Sequence, residues 1–176
     1  ASGSLLALRV GYKKIISFLP VTLMGIIVVL YVFGLLGLLK PGVIVIDALI
    51  VIAFVYVCLA TIRNKDIKEY LKNATPFLVA VTVMFFILNI CDKGMLAHDT
   101  DEFSHWADVV KNMLIHDGFV TSPDSGSIFS SYPPGMPLLE YFFQRNLSLF
   151  TDRTGFTEWR LYLTWHLFSL SLLLSV

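Results

Sequence analysis

Residues 43–62 read VIVIDALIVIAFVYVCLATI, twenty positions with a single charge, Asp47. At about 1.5 Å of rise per residue, a helix of this length reaches roughly 30 Å, the thickness of a bilayer's hydrocarbon core. Two windows of the same kind flank it. Residues 15–39 and 74–91 carry no charge at all. One such helix fits inside a soluble domain, but three in the first half of a 176-residue chain exceed what a single core of that size can bury. The expected fold class is therefore all-α, a polytopic helical membrane protein.

Composition agrees. Hydrophobic residues make up 56% of the chain and charged residues 15%, against about 25% in soluble domains. Mean hydropathy is +0.76. Thirteen basic and thirteen acidic residues cancel, so no basic face exists to neutralise phosphates and nucleic acid is not an expected partner. Cys58 and Cys91 fall in or at the end of apolar windows and read as small buried hydrophobes, without the spacing of a disulfide framework or zinc site. Residues 1–4 (Ala-Ser-Gly-Ser) read as a vector-derived scar. The first window is too long for the apolar region of a cleaved signal peptide.

Basic residues in short loops mark the cytoplasmic side. Arg9, Lys13 and Lys14 precede the first window. Only Lys40, with Pro41 and Gly42, separates the first two, and Arg63, Lys65, Lys68 and Lys72 separate the second from the third. The pattern predicts a cytoplasmic N-terminus over 1–14, three spans over 15–91, and an extracytoplasmic loop over 92–160. That loop holds ten acidic and five basic residues. Residues 161–176 start a fourth span. The expected location is the plasma membrane, or the endoplasmic reticulum with a luminal loop in a eukaryote, and the bilayer is the first expected partner.

Two further helices are expected within the loop. Residues 103–116 place Phe103, Trp106, Val110 and Met113 on one face and Asp108, Lys111 and Asn112 on the other, the pattern of a helix lying on the membrane surface. Asp117-Gly118 ends it. Residues 137–150 are apolar almost all round but too short to cross, which suits an interfacial or re-entrant helix with Pro137 in its first turn.

Before the first of these helices stands His98-Asp99-Thr100-Asp101-Glu102. Three carboxylates at the mouth of a span can take a proton from an incoming hydroxyl or hold a divalent cation. Asp99 and Glu102 also have the spacing of a helix capping box, which explains two of the three acids without function but leaves Asp101 over.

The order of features over 99–143 resembles the first outer loop of GT-C glycosyltransferases that use polyprenyl-phosphate sugars, notably protein O-mannosyltransferases and lipid A aminoarabinose transferases. An acidic pair, Asp101-Glu102, follows a span. A helix containing His105-Trp106-Ala107 and Asn112-Met113 closes on Asp117-Gly118. Tyr132-Pro133-Pro134-Gly135-Met136-Pro137-Leu138-Leu139 then leads into an aromatic helix. The likeness covers about 45 residues. It departs from the family pattern in following the third window rather than the first, in the Phe103-Ser104 insertion before His105, and in lacking the later spans.

The resemblance implies a single inverting displacement in which an acceptor hydroxyl attacks the anomeric carbon of a polyprenyl-phosphate sugar. Asp101 would be the general base and Glu102 would orient it or the acceptor, a glycan, lipid or protein. Asp99, His105, Lys111, Tyr132, Pro133 and Pro134 are the candidate substrate-binding residues. Lys93, Lys111, Arg145, Arg153 and Arg160 are candidates to meet the leaving phosphate. No cofactor is expected, although Mg or Mn could sit among the acids. Asp47, Trp165 and His166 read as interfacial: a water-reaching acid, an aromatic-belt tryptophan and a hydrogen-bonded histidine. Two rival functions are a non-catalytic subunit of a surface-glycopolymer assembly and a transporter of lipid-linked sugar. The charge-free windows lack the broken, polar mid-membrane helices a transporter needs.

Overall fold

The chain is described here by a computed structural model covering residues 2–63, 65–121, 125–127, 130–131, 134–149 and 155–175. Among these residues the structure is all-helical, with no strand. The helices are α1 (Ser2–Leu35), α2 (Leu39–Arg63), α3 (Lys65–Cys91), α4 (Asp108–His116), α5 (Gly135–Ser148) and α6 (Trp159–Ser175), with a π-helical turn over Glu102–Ala107 leading directly into α4.

Two helices contain stretches long and apolar enough to cross a membrane: Phe18–Leu35 of α1, 18 residues, and Leu39–Ala60 of α2, 22 residues. The third expected window lies within α3, whose apolar stretch Leu78–Cys91 is shorter. Polar side chains in these helices turn back on their own backbone. Thr22 donates to the Phe18 carbonyl at 2.8 Å, Thr82 to that of Leu78 at 2.8 Å and Asn89 to that of Phe85 at 2.9 Å. Such bonds give the hydroxyls and the amide a partner without help from neighbouring helices.

The turn between α1 and α2 falls earlier than the sequence predicted. α1 stops at Leu35 rather than running to residue 39, and Gly37 takes a left-handed φ of +69°, a conformation glycine adopts at little cost. Lys40, Pro41 and Gly42 then form the first turn of α2 instead of the loop. Proline is tolerated there because the amide it lacks would have no intrahelical partner.

Packing is concentrated at one end of the bundle. Leu23, Ile26 and Leu30 of α1 and Leu39, Val43 and Ile46 of α2 recur three or four apart and are buried with Val110, Met113, Leu138, Leu139 and Tyr141. Beyond Ile46 the side chains of α2 turn outward. Phe54, Tyr56 and Ile62 are 69%, 71% and 82% exposed. Cys58 and Cys91 are free thiols and exposed, not buried as expected, because each lies on an outward surface of its helix.

α4 and α5 correspond to the two helices expected in the loop, but they are packed into the fold. Val109, Val110, Met113 and Leu114 of α4 are buried, while Lys111 is exposed on the opposite side. Asp117 ends the helix in the left-handed region at φ +48°. α5 contacts α1, α2, α4 and α6. Its fully buried positions include a polar series, Glu140, Gln144 and Ser148, spaced four apart beside Leu138, Leu139 and Tyr141. The α1–α2 turn lies at this same end: Gly34, Leu35 and Gly37 share an open depression with His116, Asp117 and Phe119.

Candidate functional site

The segment leaving α3 is held by its acids and by α6. Buried Asp92 pairs with His166 Nδ1 at 2.9 Å. The Ala97 amide donates to Glu158 Oε2 at 2.9 Å. Glu102 Oε2 accepts the His98 amide at 3.1 Å and the Tyr162 hydroxyl at 2.7 Å. The capping role weighed for Glu102 is thus realised in a modified form: its carboxylate takes backbone amides ahead of the helix and ties them to α6. The Tyr162 hydroxyl, followed by the backbone amides, holds the Glu102 carboxyl below its usual range.

The π-helical turn fixes what comes next. Its i→i+5 bonding widens the turn, so residues four or five apart lie nearly above one another. Glu102 and Trp106, four apart, both face a cavity of about 260 Å³. Trp165 and Tyr162 of α6 and Glu140 of α5 complete its polar and aromatic wall. The rings of Trp106 and Trp165 meet edge to face, 6.3 Å apart at 84°.

Glu140 is the residue the sequence reading missed. Its side chain is fully buried and neither carboxylate oxygen has a hydrogen bond of good geometry. Burial pushes its pKa up to about 8, and the nearby Trp165 indole only partly offsets this. The cavity wall therefore carries two carboxyl groups in opposite environments.

Of the expected site residues, the structure brings Glu102 to this cavity. Asp101 precedes it, exposed and outside the cavity lining, and Asp99 is exposed one turn earlier. His105 lies in the π-helical turn. Lys111 is exposed on α4, away from the cavity. Pro134 stands just before α5, its carbonyl accepting the Leu138 amide at 3.0 Å. Tyr132, Pro133 and Arg153 lie outside the described residues. Trp165, expected in an aromatic belt, is partly exposed and forms part of the cavity wall, and His166 is hydrogen-bonded as expected.

Two of the basic candidates are already engaged. Arg145 pairs with Asp117 at 2.5 Å, and Tyr141 donates to the same carboxylate at 2.7 Å. Burial and the negative charge of Asp117 push the Tyr141 hydroxyl well above its ordinary value. Arg160 donates to the Gly155 carbonyl at 3.3 Å and stacks over Trp159, 5.2 Å from the ring centre. Lys93 and Lys111 are exposed. Among the described residues no three His, Cys, Asp or Glu side chains gather as a metal site. Compared with known proteins, the chain matches no family model, no curated protein and no solved structure.

Proposed function

We propose that this chain is part of a polytopic membrane glycosyltransferase of the GT-C type, moving a sugar from a polyprenyl-phosphate donor to an acceptor on the extracytoplasmic side. The membrane part of the reading is supported by the runs of exposed large hydrophobic side chains along α2 and α3, since soluble monomers rarely leave extended apolar surface uncovered. The same-end clustering of the α1–α2 turn with Phe119 and its neighbours fits a topology in which that turn and the loop share the outer side.

The observation that carries the chemical reading is the cavity directly behind the acidic pair. Trp106, Trp165 and Tyr162 offer ring faces on which a sugar can stack, and Glu102 offers an acceptor for its hydroxyls. In the proposed reaction Asp101 takes the proton of the acceptor hydroxyl. The acceptor oxygen bonds to the anomeric carbon on the face opposite the lipid phosphate. The bond from that carbon to the phosphate oxygen breaks, and the phosphate departs with the electron pair. Of the basic candidates, Lys93 is exposed on the segment leading to the acidic pair and is free to approach the leaving charge, and the proposed displacement requires no cofactor.

Asp101→Asn in the full-length protein tests this. Sugar transfer in membranes should fall about a hundredfold or more at equal expression, the usual loss when a general base is removed. Activity within about threefold of the parent would refute the base assignment.

A further inference from the structure

The cavity has a property that stacking against a sugar does not require: its charge is of one sign. Glu102 and Glu140 supply carboxyl groups, Trp106, Trp165 and Tyr162 supply ring surface, and no lysine or arginine is among the described residues that line it. A buried carboxyl with only the nearby Trp165 indole to meet it, and no hydrogen bond of good geometry, is costly, since such groups are normally paired or hydrogen-bonded. The two tryptophan rings stand nearly at right angles and both line the cavity beside these carboxyl groups. From these features together we infer that the cavity binds an organic ammonium ion, its nitrogen against the Trp106 and Trp165 faces and its charge compensated by Glu140 and Glu102. Ring faces attract cations through their quadrupole, best of all at tryptophan and most strongly where water is excluded. A volume of about 260 Å³ lies just under the range that accommodates drug-sized ligands, so the occupant is a small ion or a head group. The inference does not rest on sugar transfer, and an ammonium ion and a sugar ring would compete for this one cavity.

The protonation of Glu140 gives binding a direction with pH. The other groups around it are already committed. Glu102 is bonded to Tyr162 and His98. Glu158 holds the Ala97 amide, and Arg160 is turned to Gly155. On α5 itself Arg145 and Tyr141 are tied to Asp117. On α2, Asp47 has Asn146 of α5 beside it, and on α6 His166 bonds to Asp92. Among the described side chains of α1 the titratable group is Tyr31, whose ring packs on Phe119, and on α4 Asp108 accepts from Asn112 while Lys111 and His116 are exposed. An ammonium ion therefore binds with ionisation of Glu140. Apparent affinity rises up to tenfold per pH unit below about 8 and levels off above it.

The test is a titration of the full chain in lipid nanodiscs with tetramethylammonium chloride, against sodium chloride at equal ionic strength, followed by tryptophan fluorescence at pH 6, 7.5 and 9. The quaternary ion is chosen because it does not itself titrate. Saturable binding that tightens with pH is expected. Glu140→Gln should weaken binding at pH 9 by at least tenfold and abolish the pH dependence. It resembles the neutral carboxyl the fold already accommodates. Trp165→Leu should weaken binding by roughly 2–30-fold, the range of a lost cation–π contact. Discs of phosphatidylglycerol with and without phosphatidylcholine separate two sources of the ion. Competition by phosphatidylcholine identifies a lipid head group, and identical curves identify a soluble ligand. The inference is overturned by no saturable response at any pH, by a pH-independent affinity shared with Glu140→Gln, or by a methyl glycoside filling a site that tetramethylammonium leaves untouched.

Discussion

Replacing Glu140 by Gln should change how the stability of the fold depends on pH. In the unfolded chain this carboxyl titrates near its ordinary 4.5, and in the folded protein burial moves it to about 8. The folded state thus holds the proton more tightly. Its stabilising contribution is fully present below pH 4.5, declines as pH rises, and is lost above about 8. The gap between those two values, at about 1.4 kcal/mol per pH unit, corresponds to about 5 kcal/mol lost across the window, of which about 3 kcal/mol is already gone at pH 7. Because Glu140 is fully buried, solvent screening does not reduce this much. Glutamine has nearly the same shape and no ionisable proton, so its variant lacks the decline. Melting temperatures of both proteins in the same detergent, measured from pH 5 to pH 9, provide the assay. They should lie close together at pH 5 and diverge steadily, the variant melting on the order of 10 °C higher by pH 8. Parallel curves across the whole range would show that Glu140 reaches water or a partner, and the burial argument would fail with them.

Two other substitutions probe how α4, α5 and the α1–α2 turn are joined. Asp117→Ala should lower stability by about 3–5 kcal/mol in thermal melts, since it strands the buried Arg145 guanidinium. Asp117→Asn should lose less, because asparagine tolerates the left-handed backbone and still accepts from Tyr141. Gly34→Ala would put a methyl carbon 2.2 Å from the Phe119 ring. It should cost about 1–3 kcal/mol as an overpacking change, most of it recovered by adding Phe119→Leu.

The helices were legible because their apolar windows are long and nearly free of charge; each observed helix overlaps a predicted one. The displaced first turn shows a limit of that reading. Lys40-Pro41-Gly42 looks like a break, yet proline and the preceding residues fit a first helical turn, and the chain reverses instead at Gly37, where φ is positive. The π-helical turn left no signature, because apolar spacing over six residues does not distinguish i→i+4 from i→i+5 bonding. Burial of Glu140 did leave a sign. In a helix otherwise read as apolar all round, Glu140, Gln144 and Ser148 fall four apart, a polar stripe on one face. The structure turns that stripe inward, with Gln144 accepting the Thr157 amide at 2.8 Å. A stripe of this kind reads from sequence as a solvated face, and only the packing of α5 among α1, α2, α4 and α6 reverses it.

The same packing bears on how the three acids divide their work. A carboxylate that accepts two or more hydrogen bonds in its charged form is a weakened base, and Glu102 accepts from Tyr162 and His98. Glu140 stands at the other extreme, a proton holder at neutral pH because burial outweighs what the Trp165 indole offers its charge. Two titratable groups pushed in opposite directions beside one cavity are the pattern from which acid and base roles are assigned; here Glu102 is engaged by Tyr162 and His98, and burial keeps the proton on Glu140. In the proposed transferase abstraction of the acceptor's proton falls to Asp101, which is exposed. The cavity acids then serve to bind and orient. On this division the residue that performs the chemistry lies outside the pocket, and the pocket determines what is brought to it.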